Sequence, residues 1–216
     1  MHGLEPWVGH RFGARKVEDL LRWCLELGVR TVTLYAFSTE NFRRTPREVM
    51  ELMQLFEEKL RELKENDVIH KYKVRVKAIG RLELLPPHVR KLIKEVEAAT
   101  AHYNGHFLNI AIAYGGRAEI VDAVRKIARD VKTGKLDPEE IDEKVFERYL
   151  YTSHLPKQDP DLIIRTSGEE RLSGFLLWQS AYSELCFIDV YWPEFRRIDL
   201  LRAIRTYQKR QRRFGR

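Results

Sequence analysis

Only two cysteines occur in 216 residues, and Cys24 sits among Leu21, Trp23 and Leu25, where a small buried hydrophobe serves. With Cys186 as its only companion, that usage fits a reduced, cytoplasmic protein. No apolar run approaches the ~20 residues of a membrane span. The amino end has neither the cationic lead nor the apolar core of a signal peptide. Such a chain is expected to meet lipid as a soluble or peripheral protein. Also lacking are a Pro/Gly/Ser-rich linker, a repeat of fixed period and a low-complexity tract, so a single domain over 1–216 is expected. The longest charge-dense stretch, Glu57 to Glu65, keeps Leu60 and Leu63 among its charges and reads as the solvated face of a helix.

What is present is cationic. The formal net charge of +7 points to anionic partners, whether phosphate groups, an acidic membrane surface or nucleic acid. The excess gathers towards the end, at Arg196, Arg197, Arg202, Arg205, Lys209, Arg210, Arg212, Arg213 and Arg216. Basic helices of that kind serve more often as solvated faces or membrane-surface contacts than as base readers. The interleaved stacking aromatics of a nucleic-acid surface are not evident, so nucleic acid is not expected as a partner.

Five β-branched or alternating runs predict strands: Val29 to Phe37, Lys73 to Ile79, Phe107 to Ala113, Leu162 to Arg165, and Cys186 to Val190. Helical stretches intervene at Ala14 to Leu27, Pro46 to Asn66, Pro87 to Tyr103, Arg117 to Val131, Pro138 to Tyr149, and Leu200 to Arg212. This alternation predicts an α/β fold with a largely parallel central sheet flanked by helices. The second helix is the clearest, with Val49, Leu52, Met53, Phe56, Leu60 and Leu63 at helical spacing behind Pro46. A parallel α/β domain that starts on a helix is unusual. Gly9-His10 before Ala14 looks like the second half of a strand, loop and helix unit whose first, central strand is missing.

Residues 162–187 carry the strongest functional signal, because an apolar strand delivers cations, hydroxyls and carboxylates where open α/β sheets bind ligands. Arg165 and Arg171 offer forked donors that match phosphate oxygens, Ser173 adds a hydroxyl, and Gly168 lets backbone come close. A diphosphate would fit. The same residues would also make a solvated, salt-bridged loop, with Glu169 and Glu170 tying up the arginines. The apolar continuation Phe175 to Tyr182 leads to Glu184, a hard oxygen ligand of the kind Mg²⁺ prefers.

These blocks, with Gly9-His10, Leu34 to Phe42, Asn109-Ile110-Ala111, Tyr114 to Arg117 and Arg212 to Gly215, resemble the cis-prenyltransferases, of which undecaprenyl diphosphate synthases are the best-known members. The resemblance runs in family order along nearly the whole chain. It implies elongation of a polyprenyl diphosphate in the cis configuration, with Mg²⁺ as cofactor, isopentenyl diphosphate and an allylic diphosphate as substrates, and a homodimer. It also implies roles for particular residues. Arg165, Arg171, Leu172 and Ser173 would form the isopentenyl diphosphate pocket, Glu184 would lie near Mg²⁺, and Arg213 would reach a substrate phosphate across the dimer.

His10 would contact diphosphate just before a helix start, with Pro6 standing where the family often has a phosphate-binding Arg. Ser38, Thr39, Glu40 and Phe42 would lie over the substrates, Arg44 on a phosphate, and Asn41 near the departing proton. Turn and helix-cap chemistry would account for Ser38 to Asn41 equally well. An amide is a poor base, so Asn41 is better suited to orient a diphosphate or a water than to take the proton. Phe42 replaces the Trp of many members, keeping an aromatic wall without the indole donor. Leu52 and Phe56 are candidates for the wall of the hydrocarbon tunnel.

One family part is absent: no Asp-Gly-Asn, the motif whose Asp holds Mg²⁺, occurs in these 216 residues. The expectation is an amino-terminally shortened chain that is weak or inactive in this form. The alternative is a non-catalytic partner subunit of a prenyltransferase complex, although a pure scaffold has no physical need for Arg165, Arg171 and Glu184.

Overall fold

The computed structural model describes residues 6–210, and their contacts divide them into two compact units. One is Cys24–Gln158; the other combines the chain up to Trp23 with the chain from Asp159 onward.

Within Cys24–Gln158, three parallel strands lie in the order β1-β3-β2: β1 (Thr31–Ser38), β2 (Val74–Ile79) and β3 (His106–Tyr114). The sequence of β3, HFLNIAIAY, is apolar at almost every position because it is central, and every residue after His106 is buried. Its one polar interruption is satisfied. Asn109 donates from Nδ2 to Thr33 Oγ1 at 3.0 Å and shares a 2.8 Å hydrogen bond between Oδ1 and His154 Nε2. Strand β1, in contrast, is half-buried along most of its length, with only Phe37 fully inside.

Helix α2 (Pro46–Glu65) starts where Thr45 accepts a 3.3 Å hydrogen bond from Glu48 N and Pro46 takes the first helical position. Its stripe buries Leu52, Met53, Leu55 and Leu60. The helix packs on α4 (Pro87–Thr100), which in turn lies on β2. A short α3 (Asp67–Lys71), capped by Asn66, links α2 to β2. Helix α5 (Gly116–Lys132) follows β3 directly, and α6 (Glu143–Glu147) follows a turn at Pro138–Glu140. Gly80 ends β2 with φ +131°, and a Cβ there would lie 2.2 Å from the Ile112 carbonyl oxygen, so glycine alone fits.

In the other unit, β4 (Leu162–Arg165) and β5 (Glu184–Phe187) form a parallel pair, with α7 (Arg197–Lys209) packed against both. Helix α1 begins in this unit and runs Pro6–Glu26. Trp192 donates from Nε1 to the Gly13 carbonyl at 2.8 Å and stacks on the buried Phe195.

The chain is thus α/β, with parallel sheets flanked by helices, and all five strands fall where the sequence predicts them within a few residues. Three details differ. The helix expected from Ala14 begins by Pro6, so Gly9-His10 are helical and do not form a loop before a helix. Pro6 suits a first turn, and Gly13, which costs roughly 1 kcal/mol in a helix, is there because a Cβ would come within 3.0 Å of the Trp192 ring. The helix expected over Pro138 to Tyr149 is two pieces, because Asp137 caps Glu139 N at 2.9 Å and Asp142 opens a fresh start by capping Val145 N at 2.7 Å. Finally, the described strands form a three-stranded and a two-stranded sheet where one central sheet was expected.

Candidate functional site

Each unit carries a polar loop at the carboxyl ends of its parallel strands, the place where such sheets bind ligands. In Cys24–Gln158 the loop is a tight 3₁₀ turn, Thr39–Arg43, that continues β1. Asn41 folds back on it, its Oδ1 accepting a 2.8 Å hydrogen bond from Ser38 N. The backbone donor fixes which amide atom is oxygen, so the group of Asn41 not engaged in that bond is its NH₂ donor. Burial pushes the Glu40 carboxyl up. Hydrogen bonds from its own backbone and from the Ser38 and Thr39 hydroxyls, with Arg43 nearby, outweigh that and hold it below its ordinary range. Phe42 sets its ring edge-on to Phe37, 4.8 Å between centroids, and Phe37 meets Phe56 likewise at 6.1 Å. Arg44 donates from Nη1 to Glu48 Oε1 at 2.8 Å.

The turn between β3 and α5 adjoins this loop. A Cβ on Gly115 would stand 2.9 Å from Thr39 Oγ1, so only glycine lets the two chain segments come this close. Beside the loop, an open cleft of about 580 Å³ is lined by Phe42, Arg44, Val49, Met50, Met53 and Pro86, among others. The α2 residues on its wall are not Leu52 and Phe56, which turn elsewhere: Leu52 into the buried stripe and Phe56 towards Phe37.

In the other unit the loop follows β4. Arg165, its last residue, reaches over the turn and donates from Nη1 both to the Arg171 carbonyl and, at 2.8 Å, to Ser173 Oγ. The turn is unusual backbone: Ser167, Gly168, Ser173, Gly174 and Leu176 all have positive φ. Three of these are not glycine, a concentration of local strain typical of ligand-holding segments. Ser167 N and Gly168 N donate to the carbonyls of Val190 and Ile188 at 2.9 and 3.2 Å, which anchors the turn to the chain leaving β5. Arg171 is ion-paired with Glu169, as one reading of the sequence allowed, while Leu172 is half-buried and its carbonyl accepts from Phe175 N.

The structure therefore brings Arg165, the Arg171 backbone and Ser173 together. Glu184 it places elsewhere. Glu184 opens β5 opposite Leu162, whereas Arg165 pairs with Phe187, so the two backbones differ by three steps along the strands, about 10 Å. The Glu184 carboxylate bonds the Arg210 guanidinium instead. His10 is half-buried on α1, and Arg213 lies outside the described residues. Among the described residues no three or more His, Cys, Asp or Glu gather as a metal-holding group.

Sequence reasoning missed a network behind the β2 and β3 ends. Arg81 binds Asp122 through two nitrogens at 2.8 and 2.9 Å, and Tyr151 donates its hydroxyl to the same carboxylate at 2.6 Å. Buried Glu119 accepts from the Tyr114 hydroxyl and, at 2.8 Å, from Tyr151 N. These side chains brace Tyr114, directly before the Gly115 that touches Thr39. The pairs are separated by up to 41 positions in the chain and leave no periodic signal; only Tyr114-Gly115-Gly116-Arg117, as a motif block, marked the place.

Residues 1–215 match a family model described as "Putative undecaprenyl diphosphate synthase". The chain belongs to this prenyltransferase family. A relative from Methanopyrus kandleri, named tritrans,polycis-undecaprenyl-diphosphate synthase (geranylgeranyl-diphosphate specific), is 64% identical over 99% of this chain and 78% of its own. One of the same name from Methanocaldococcus jannaschii is 59% identical over 100% of this chain and 77% of its own. Among solved structures, lavandulyl diphosphate synthase from Lavandula x intermedia, in complex with dimethylallyl diphosphate, superimposes with a TM-score of 0.94 at 37% identity, covering 99% of this chain and 91% of that one. A probable undecaprenyl diphosphate synthase from Campylobacter jejuni gives 0.81 at 34% identity, covering 95% and 93%. The resemblance read from the motif blocks is thereby borne out at the level of the family.

Proposed function

We propose that this chain elongates a polyprenyl diphosphate in the cis configuration by adding isopentenyl diphosphate to an allylic diphosphate. The observation that carries the reading is the turn after β4, where Arg165 converges with Ser173 and the Arg171 carbonyl on a backbone of repeated positive φ. The allylic primer we assign is geranylgeranyl diphosphate, the specificity in the names of the Methanopyrus and Methanocaldococcus relatives.

In this scheme the carbon–oxygen bond of the allylic diphosphate breaks, the isopentenyl double bond forms the new carbon–carbon bond, and loss of a proton regenerates an alkene. The largest demand is stabilising the leaving diphosphate, and positioned cations supply it. Arg165, Arg171, Leu172 and Ser173 take the isopentenyl diphosphate. Arg44 takes a phosphate, His10 another contact, and Ser38, Thr39, Glu40 and Phe42 frame the loop over the substrates. Asn41, with its oxygen engaged by Ser38 N, donates its NH₂ to a diphosphate oxygen or a water and does not act as the base.

Mg²⁺ needs only one or two carboxylates when substrate phosphates complete its shell. Glu184 does not meet that requirement in this structure, because it opens β5 at the opposite end of the strand pair from Arg165 and its carboxylate is bonded to Arg210.

A homodimer accords with exposed Tyr182 (73%), Tyr191 (65%), Ile198 and Leu201, which a second copy would cover, and we assign Arg213 to a substrate phosphate of the partner. No described helix is long and apolar enough to cross a membrane. We place the protein in the cytoplasm with peripheral contact to lipid through exposed Arg197, Arg202, Arg205 and Lys209 of α7.

The test is incorporation of radiolabelled isopentenyl diphosphate into polyprenyl product with geranylgeranyl diphosphate and Mg²⁺. It is run on this chain and on its Arg165→Ala variant. Product from the parent and far less from the variant are expected; no product from the parent overturns the reading.

A further inference from the structure

Arg44 stands at the end of the loop after β1, and its guanidinium is held by the carboxylate of Glu48, Nη1 to Oε1 at 2.8 Å. Arg44 is extended backbone two residues ahead of α2, whereas Glu48 is the third residue of that helix, with its backbone N–H on the Thr45 hydroxyl. Glu48 gains from the positive end of a 20-residue helix as well as from Arg44. The pair is only partly withdrawn from water, with side-chain exposures of 38% for Arg44 and 15% for Glu48. Ion pairs of this i,i+4 kind are weak, and a diphosphate oxygen is a stronger partner for a guanidinium than a single carboxylate.

We propose that Glu48 is a positioning residue that parks Arg44 while the allylic site is empty and yields it to the diphosphate when substrate arrives. The inference rests on the assignment of Arg44 to a substrate phosphate. In the empty protein the carboxylate keeps the guanidinium extended over the first turn of α2, so it neither collapses onto Glu40 nor lures stray anions. When the diphosphate binds, its oxygens replace Glu48, whose charge is then left to the helix terminus and water. Because displacement must precede or accompany binding, Glu48 weakens substrate affinity, and its retained negative charge helps product diphosphate to leave. Two opposing effects on the kinetics follow from one side chain.

Glu48→Gln is the natural probe, because glutamine is as acceptable as glutamate at this capping position and keeps the shape while removing the charge. Inorganic pyrophosphate is titrated calorimetrically into the full chain, its Arg44→Ala variant, Glu48→Gln, and the double variant. The expectation is that Glu48→Gln binds pyrophosphate about threefold tighter, within the range such weak pairs allow. Arg44→Ala binds more weakly, and Glu48→Gln has no effect once Arg44 is gone. In steady-state assays of an active form, Glu48→Gln lowers KM for the allylic diphosphate and lowers kcat with it, a split that a merely destabilised fold does not give. Unchanged or weaker pyrophosphate binding by Glu48→Gln, beside a clear loss in Arg44→Ala, overturns the parking role and leaves the Arg44 assignment intact. Unchanged binding by Arg44→Ala removes the Arg44 assignment, and this inference falls with it.

Discussion

Arg165 spends its guanidinium on holding a loop in shape as well as on charge, with donors committed to the Arg171 carbonyl and Ser173 Oγ. Both contacts leave from Nη1, and lysine has no second nitrogen to offer a phosphate beside them, so Arg165→Lys is expected to raise KM for isopentenyl diphosphate at least tenfold while leaving the melting temperature within a few degrees. Initial-rate kinetics beside a thermal melt check this. At Asn41 the acceptor oxygen secures the turn by taking the Ser38 N–H, and the role proposed for its NH₂ is to donate to substrate. Asn41→Asp should keep the fold but turn that donor into a negative charge, with kcat/KM reduced about 100-fold, the size of effect seen when one transition-state donor is removed. His154 offers a pH signature. Burial, with Lys77 and Arg75 nearby, holds its pKa below the ordinary imidazole range, despite the opposing pull of the Tyr151 backbone and Glu97. A histidine that resists protonation when folded leaves stability intact at neutral pH. As the pH falls below about 6.5 the unfolded chain takes up the proton first and stability is lost. Denaturant melts at pH 5 and pH 7.5 should show a smaller difference in His154→Gln than in the parent.

At the scale of elements, Gly80 closes β2 against the Ile112 carbonyl in backbone that L-residues rarely adopt. Gly80→Ala is expected to cost at least about 2 kcal/mol, measured by urea unfolding, because strain and steric overlap add. The strands were legible because their signals are local: β3 announces a central position by eight consecutive buried residues, and β4 by Leu162-Ile163-Ile164 ahead of Arg165. The start of α1 was misread because Gly9 and Gly13 imitate a loop, and only the Trp192 ring, distant in sequence, explains Gly13. The stretch from Pro138 has helical composition throughout, and two aspartates acting as successive caps divide it. For the site, residue types and motif blocks marked both loops. What escaped was which atom of Asn41 the turn engages, which carboxylate Arg44 leans on, and that Glu184 stands at the far end of its strand pair. Those are matters of geometry between side chains, which spacing does not encode.

At the scale of the whole molecule, the proposed homodimer makes a concrete demand. Tyr182, Tyr191, Ile198 and Leu201 are exposed in the single chain, and an isologous contact would cover them twice over. Tyr191→Asp is therefore expected to shift the protein from dimer to monomer in analytical ultracentrifugation while its circular dichroism stays unchanged. The buried Asn109, clasped by Thr33 from β1 and by His154, acts as an alignment key. Sliding β1 one step along β3 would take Thr33 away and leave the buried Nδ2 donor of Asn109 unpaired, which disfavours any other setting of the two strands. That setting also decides the height at which the chain leaves the sheet at Ser38 and at Tyr114. A single buried amide thus calibrates how the loops after β1 and β3 meet, and ironing it out to leucine would loosen that junction before it melted the core.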